Sequence, residues 1–205
     1  MAARAEGRRA NTSRYAILGV LSLGAMSGYD VKKLIERSIA HFWNESYGQI
    51  YPTLNQLAAH GFAERRRERQ NGKPDRHVYS LTPKGREELE RWLALPARLE
   101  PVRSELLLKL FLGGAGPVAD SVAQVEHVQA RHRALLDTYD GIERQLRKET
   151  AGHPELPYWL ITLRCGQHRS RAMLAWCEET LAALRRLGAR TRRRARHRPS
   201  AAGSP

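Results

Sequence analysis

Gln49, Asn55 and Gln56 carry side-chain amides whose spacing, turned through about 100° per residue, puts Asn55 and Gln56 on one helical face with Gln49 at its flank. An amide donates and accepts hydrogen bonds together, which is what the edge of an adenine in the major groove asks of a reader. Pro52 and Thr53 add apolar groups suited to thymine methyls. Ser46, Tyr47 and Tyr51 bring hydroxyls to the start of the same segment, where unpaired backbone amides also gather, an arrangement that favours phosphate oxygens. The face is polar and carries no charge, so it selects for hydrogen-bond patterns and not simply for negative potential.

Such a face needs a helix beneath it. Ser46 with Gln49 three residues on makes a reciprocal N-cap, Ile50, Leu54, Leu57 and Ala58 form the inner stripe, and His60-Gly61 supplies a glycine stop. Pro52 breaks the helical rule, since it cannot bond to the carbonyl of Gly48 and crowds it. Local violations of this kind gather at functional sites. Two helices precede the segment, one over Arg14 to Leu23 and one that Ser27 caps with Asp30 three residues later, where Val31, Leu34, Ile35, Ile39 and Phe42 repeat at helical spacing. After it, Ala63 to Arg69 and His77 to Leu81 flank a turn rich in Gly, Asn, Pro and Asp, which predicts a hairpin whose tip carries Lys73 and Arg76 toward a backbone or a minor groove. Thr82 and Pro83 then open a further helix through Leu93.

Helix, helix, recognition helix, strand, wing, strand and helix is the order of a winged helix-turn-helix. The residues from Ser46 to Leu54, preceded by Ser27-Gly28-Tyr29-Asp30 and followed by Leu81-Thr82-Pro83-Lys84-Gly85, resemble the PadR family of bacterial transcriptional regulators. From Arg103 onward the pattern looks like the C-terminal helical domain of that family's longer members. The resemblance implies a homodimeric cytoplasmic repressor that binds a near-palindromic double-stranded operator, with release by a small effector that is often aromatic or phenolic. Two features depart from the family: the first wing strand is unusually rich in arginine, and so is the end of the chain.

The expected fold is mostly α, a winged helix-turn-helix DNA-binding domain followed by an α-helical C-terminal dimerisation domain. The boundaries are a flexible basic stretch over 1–13, the winged domain over 14–95, a Pro-bracketed linker over 96–103, a helical dimerisation and effector domain over 104–187, and a disordered arginine-rich tail over 188–205. In the helical domain a short apolar helix over Ser104 to Leu112 precedes two long segments, 118–150 and 158–187. Each of these exceeds about 40 Å at 1.5 Å per residue, longer than a domain of this size needs for its own core. The short helix and the last long one are therefore the expected dimer interface, with the first helix as a further candidate contributor.

The 205 residues hold 35 Lys and Arg against 21 Asp and Glu, a net charge of +14, which makes a polyanion the first partner to consider. No acidic residue follows Glu179, whereas Arg185, Arg186, Arg190, Arg192, Arg193, Arg194, Arg196 and Arg198 do. Arginines of that kind raise affinity for any nucleic acid by counterion release without choosing a sequence. That keeps an architectural, nucleic-acid-coating protein with little sequence preference open as the alternative reading. A winged domain used for protein contacts fits less well, because the amide face is neither acidic nor apolar.

No apolar run of spanning length and no apolar leader occur, which points to a cytoplasmic protein without membrane contact. No phosphate-binding, nucleophile-elbow or zinc-protease motif occurs either, so neither an enzyme, a cofactor nor a metal is expected. His127 and His132 stand five apart and diverge on a helix, and Cys165 and Cys177, too far apart on one helix to bridge, read as free core thiols. Trp43, Trp92, Trp159 and Trp176 are packing material first. Of these, Trp43, Trp92 and Trp159 are the candidates to wall an effector pocket between the two domains.

Overall fold

A computed structural model of the chain describes residues 2–40, 42–43, 47–70, 73–97 and 103–196, with side chains described from 12 to 190 except at 47, 70, 73 and 74. It divides into two compact units, Met1–Glu100 and Pro101–Pro205.

In the first unit the order is α1 (Ala2–Leu21), β1 (Met26–Ser27), α2 (Gly28–Ser38), α3 (Tyr47–Ala59), β2 (Ala63–Gln70), β3 (Lys73–Leu81) and α4 (Pro83–Leu93). The strands form one antiparallel sheet in the order β1-β3-β2. Ala63 stands opposite Leu81 and Arg65 opposite Tyr79, and a bulge falls between Glu68 and Gln70. Ile17, Leu18 and Leu21 of α1, Val31 and Ile35 of α2, and Ile50, Leu54 and Leu57 of α3 meet Ala63, Tyr79 and Leu89 in a single core. Beside that core, the Glu88 carboxylate accepts from Arg14 and from the Tyr15 hydroxyl, both at 2.8 Å, and from Arg91. The cluster ties α1 to α4 with a buried charge that has its partners, the condition under which burial is tolerated.

The caps are those that the sequence predicts at α2 and α4. The Ser27 hydroxyl accepts from the amide of Asp30 while Asp30 reaches back to Ser27, and Thr82 accepts from Gly85 with Pro83 in the first turn. At the end of α3, Gly61 adopts φ 75°, and the amides of Gly61 and Phe62 return to the carbonyls of Ala58 and Leu57. This double return is the left-handed glycine stop. The Leu81-Thr82-Pro83-Lys84-Gly85 stretch then serves a purpose that the sequence did not reveal. The Thr82 hydroxyl donates to Gly61 O at 2.7 Å, Lys84 Nζ donates to His60 O at 2.9 Å, and Gly85 leaves room for the Phe62 carbonyl, which any Cβ there would overlap. The carbonyls at the end of α3 are thereby satisfied by the start of α4.

The second unit holds α5 (Glu105–Phe111), a single 3-10 turn at Gly113–Ala115, α6 (Val118–Glu149) and α7 (Leu156–Arg196). The last two pack as a long hairpin with two apolar clusters. Val125, Cys177 and Leu181 centre one, and Tyr139, Leu160 and Leu163 the other. Between them Gln129, Gln167 and Ser170 are buried. Gln167 donates to Asp140 and Glu143 at 2.9 and 3.0 Å, and Ser170 lies 3.3 Å from the His132 ring. A satisfied polar layer inside an apolar seam fixes register, because any slip would strand its hydrogen-bonding groups.

Three expectations about the ends of the chain and the cysteines require correction. The stretch 1–13, expected to be flexible, is helical from Ala2, since Ala2, Ala3, Ala5, Ala10 and the intervening arginines are strong helix formers continuous with α1. The tail, expected to be disordered from 188, continues α7 through Arg196. Adding alanines and arginines to a formed helix needs no new nucleus. Residues 197–205 lie outside the described residues. Cys177 is buried as expected, but Cys165 is exposed, because it sits two positions past buried Leu163 on the outer side of α7. Among the described residues, no helix is long and apolar enough to cross a membrane, and no group of His, Cys, Asp or Glu is arranged to hold a metal ion.

Candidate nucleic-acid interface

α3 runs unbroken through Pro52, and its two sides differ as the amide pattern requires. Ile50, Leu54 and Leu57 are inside, whereas Gln49, Tyr51, Pro52, Asn55 and Gln56 are exposed. Thr53 is the exception among the predicted readers. It is 6% exposed, so it is a core residue and not a partner for thymine methyls. At about 300° from Ile50 it falls beside Leu57 at about 340°, on the inner arc. Ser46 lies outside the described residues, and so does the side chain of Tyr47, whose backbone opens α3.

Asn55 has a second engagement. Its Oδ1 accepts from the Tyr79 hydroxyl at 3.0 Å, and Tyr79 is 3% exposed on β3. A buried phenol needs a partner. The bond engages the Asn55 carbonyl oxygen and leaves its amide N–H groups to donate, while Gln49 and Gln56 keep both functions to offer. Period-two alternation places Arg65 on the same face of the sheet as Tyr79, and Arg65 lines an open groove with Asn55, Ala58 and Ala59. Composition does not set Arg65 apart from the arginines around it. Its position two residues from inward Ala63 was the available signal.

The wing is less positive than its composition suggests. Arg66 bonds Glu64 at 2.9 Å, Arg67 pairs with Asp75 at 2.8 Å, and Arg76 pairs with Glu68 at 2.8 Å while reaching Asp30 at 3.6 Å. Hydrogen bonding to Glu68 makes the Arg76 guanidinium still harder to deprotonate. The Ser27 hydroxyl, and after it Arg76 and Lys33, hold the Asp30 carboxyl below its ordinary value. Among the described residues, Arg65 and Arg69 have no carboxylate at ion-pair distance, which leaves their charge available to phosphate. Lys73 opens β3, and its side chain lies outside the described residues.

The three tryptophans are distributed over both units. Trp92 stacks on Tyr15 with centroids 4.6 Å apart and planes 8° from parallel, and it packs against the core of the first unit. Trp43 is half-buried in the same unit. Trp159, in the second unit, stacks on His153 at 4.7 Å.

Comparison with known proteins agrees with the fold. The profile of the "Transcriptional regulator PadR-like family" matches residues 17–91, and that of "Virulence activator alpha C-term" matches residues 102–185. The chain is 33% identical over 183 residues to the probable transcriptional regulator Rv1176c of Mycobacterium tuberculosis, covering 83% of this chain and 96% of the relative. It is 29% identical over 174 residues to the negative transcriptional regulator PadR of Bacillus subtilis, covering 82% and 95%. The crystal structure of Bacillus subtilis PadR in complex with operator DNA superposes with a TM-score of 0.75 at 28% identity, over 84% of this chain and 99% of that one. The same protein in complex with p-coumaric acid superposes with a TM-score of 0.69 at 27% identity, over 83% and 94%.

Proposed function

The chain belongs to the PadR-like family of transcriptional regulators, sequence-specific DNA-binding proteins, and on that premise we propose that it acts as a homodimeric repressor on a near-palindromic operator. The supporting observation is the uncharged amide face of α3, exposed beside the wing in a chain 28% identical to a protein crystallised on its operator. Gln49 and Gln56 read base edges in the major groove, and Asn55, anchored by Tyr79, donates to an acceptor there. Tyr51, with Ser46 and Tyr47, holds phosphates and sets register, and Pro52 offers its ring to a thymine methyl. Lys73 and Arg76 bring the wing to the backbone, joined by Arg65 and Arg69.

Dimerisation follows from the second unit. Leu107, Leu108, Phe111 and Leu112 expose their side chains along and just past α5, and two-fold protein symmetry matches a palindromic site. Release by a small aromatic acid is supported by the p-coumaric acid complex of the Bacillus subtilis relative, with Trp43, Trp92 and Trp159 as the proposed aromatic contacts. Quenching or enhancement of tryptophan fluorescence on titration with p-coumaric acid, with loss of operator binding at the same concentrations, is the expected response.

Binding to a panel of operator point mutants tests the reading of α3. Gln49→Ala relaxes base preference at one position per half-site, at about 1 to 3 kcal/mol, whereas Tyr51→Ala weakens binding to every sequence alike. Equal loss on all sequences for Gln49→Ala removes its role as a base reader.

The arginine-bearing continuation of α7 favours one competing reading, an architectural protein with little sequence preference. Competition between the promoter of its own gene and bulk DNA separates the two. A regulator keeps its choice at moderate salt, while a coating protein loses affinity for both by about 0.9 log units per tenfold salt for each phosphate neutralised.

A further inference from the structure

Gly28 opens α2, yet nothing in its backbone requires glycine. The glycines with positive φ among the described residues are Gly24, Gly61 and Gly152. Apart from proline, glycine is the poorest helix former, so its presence in the first turn needs another reason. The reason lies on α3. A Cβ built on Gly28 would stand 2.5 Å from Cε1 of Tyr51 and 3.0 Å from its Cδ1 and Cζ. The Tyr51 ring therefore rests on the bare backbone of Gly28.

The same turn also contacts the wing. Ser27 pairs with Val78 of β3, and the Asp30 carboxylate lies 3.6 Å from Arg76 Nη1. One turn of chain thus touches the recognition helix through Gly28 and the wing through Ser27 and Asp30. We infer that Gly28 is a positioning residue for DNA binding: by omitting a side chain it seats the Tyr51 ring and so fixes where the phenol meets the DNA backbone. The inference rests on the proposed phosphate contact of Tyr51. With 53% of its surface exposed, Tyr51 has room to swing outward when crowded, so a methyl group at position 28 displaces the ring and leaves the core of the unit in place.

The test uses the full chain and four proteins, namely wild type, Gly28→Ala, Tyr51→Ala and the double variant. Each is titrated by fluorescence anisotropy against a duplex from the promoter of its own gene and a scrambled duplex of equal length, with melting temperatures alongside. Gly28→Ala is expected to melt no lower than wild type while losing roughly tenfold in affinity for both duplexes. The double variant should bind within about twofold of Tyr51→Ala, because the methyl group has nothing left to displace. Should Gly28→Ala melt lower, removing Tyr51 restores the melting temperature, and failure to restore it counts against the seat. Wild-type affinity in Gly28→Ala beside a weak Tyr51→Ala overturns the inference, as do losses that multiply in the double variant. Wild-type affinity in Tyr51→Ala is a different failure, since it removes the phosphate contact itself.

Discussion

The first unit gathers apolar residues from all four of its helices and its hairpin into one core, whereas the second spreads them along a hairpin of two helices and leaves many outside. Leu23, Phe42 and Leu93 are exposed in the first unit, but scattered. In the second, Leu107, Leu108, Phe111 and Leu112 follow one another, with Phe111 86% exposed. A run of that kind marks an interaction surface, while single exposed apolar residues are ordinary. One unit gathers its apolar side chains inside itself, whereas the other leaves a run of them exposed, the surface on which the proposed dimer would close.

The largest effect that would break this contrast is expected at Gly85, inside the self-sufficient unit. Gly85→Ala drives a methyl group into the Phe62 carbonyl and should cost about 3 kcal/mol, read as a lower urea midpoint, because backbone cannot step aside as a side chain can. A midpoint equal to wild type would mean that the join between α3 and α4 is looser than its geometry indicates. Phe111→Ser should leave the unfolding of the first unit alone and weaken self-association by about 2 kcal/mol, seen as a shift toward monomer in sedimentation velocity. Unchanged sedimentation would take α5 out of the dimer interface.

The smallest effect sharpens the picture of the α6–α7 seam. Burial, and then Arg131 and Arg169, hold the His132 ring below its ordinary pKa, so in the folded chain it resists protonation. A depressed folded value means that the unfolded chain takes up the proton first. The stabilising contribution is thus present above an unfolded pKa of about 6.5 and is lost as pH falls through the lower folded value. His132→Gln should flatten the dependence of melting temperature on pH below about 6.5 while leaving the values above pH 7 nearly unchanged. The same pH slope in the variant would place the titrating group elsewhere.

Sequence patterns exposed the local parts of this fold far better than the contacts between them. Capping at Ser27 and Thr82, the stop at Gly61 and the two sides of α3 all follow from residue type and helical period, and each is found as expected. Thr53 was misplaced because period alone assigns an angle and not the width of the buried arc. The partners of Arg67 and Arg76 lie across the hairpin and are set by strand register, which depends on a bulge that no short pattern announces, whereas Arg66 pairs with Glu64 two residues away on its own strand. Gly28 and Gly85 stood in motifs whose meaning lay in what packs over them, Tyr51 in one case and the Phe62 carbonyl in the other. At the two ends of the chain the intrinsic helix propensity of alanine and arginine outweighs the charge that makes those stretches read as flexible.

The join at the end of α3 has a mechanical consequence. Thr82 and Lys84 side chains and the Thr82 amide hold the carbonyls of Gly61, His60 and Phe62, and Gly85 fits against the last of these. The start of α4 is therefore joined by hydrogen bonds to the end of the amide-bearing helix. Displacing the start of α4 breaks the hydrogen bonds that close α3, and these bonds do not run through the strands of the wing.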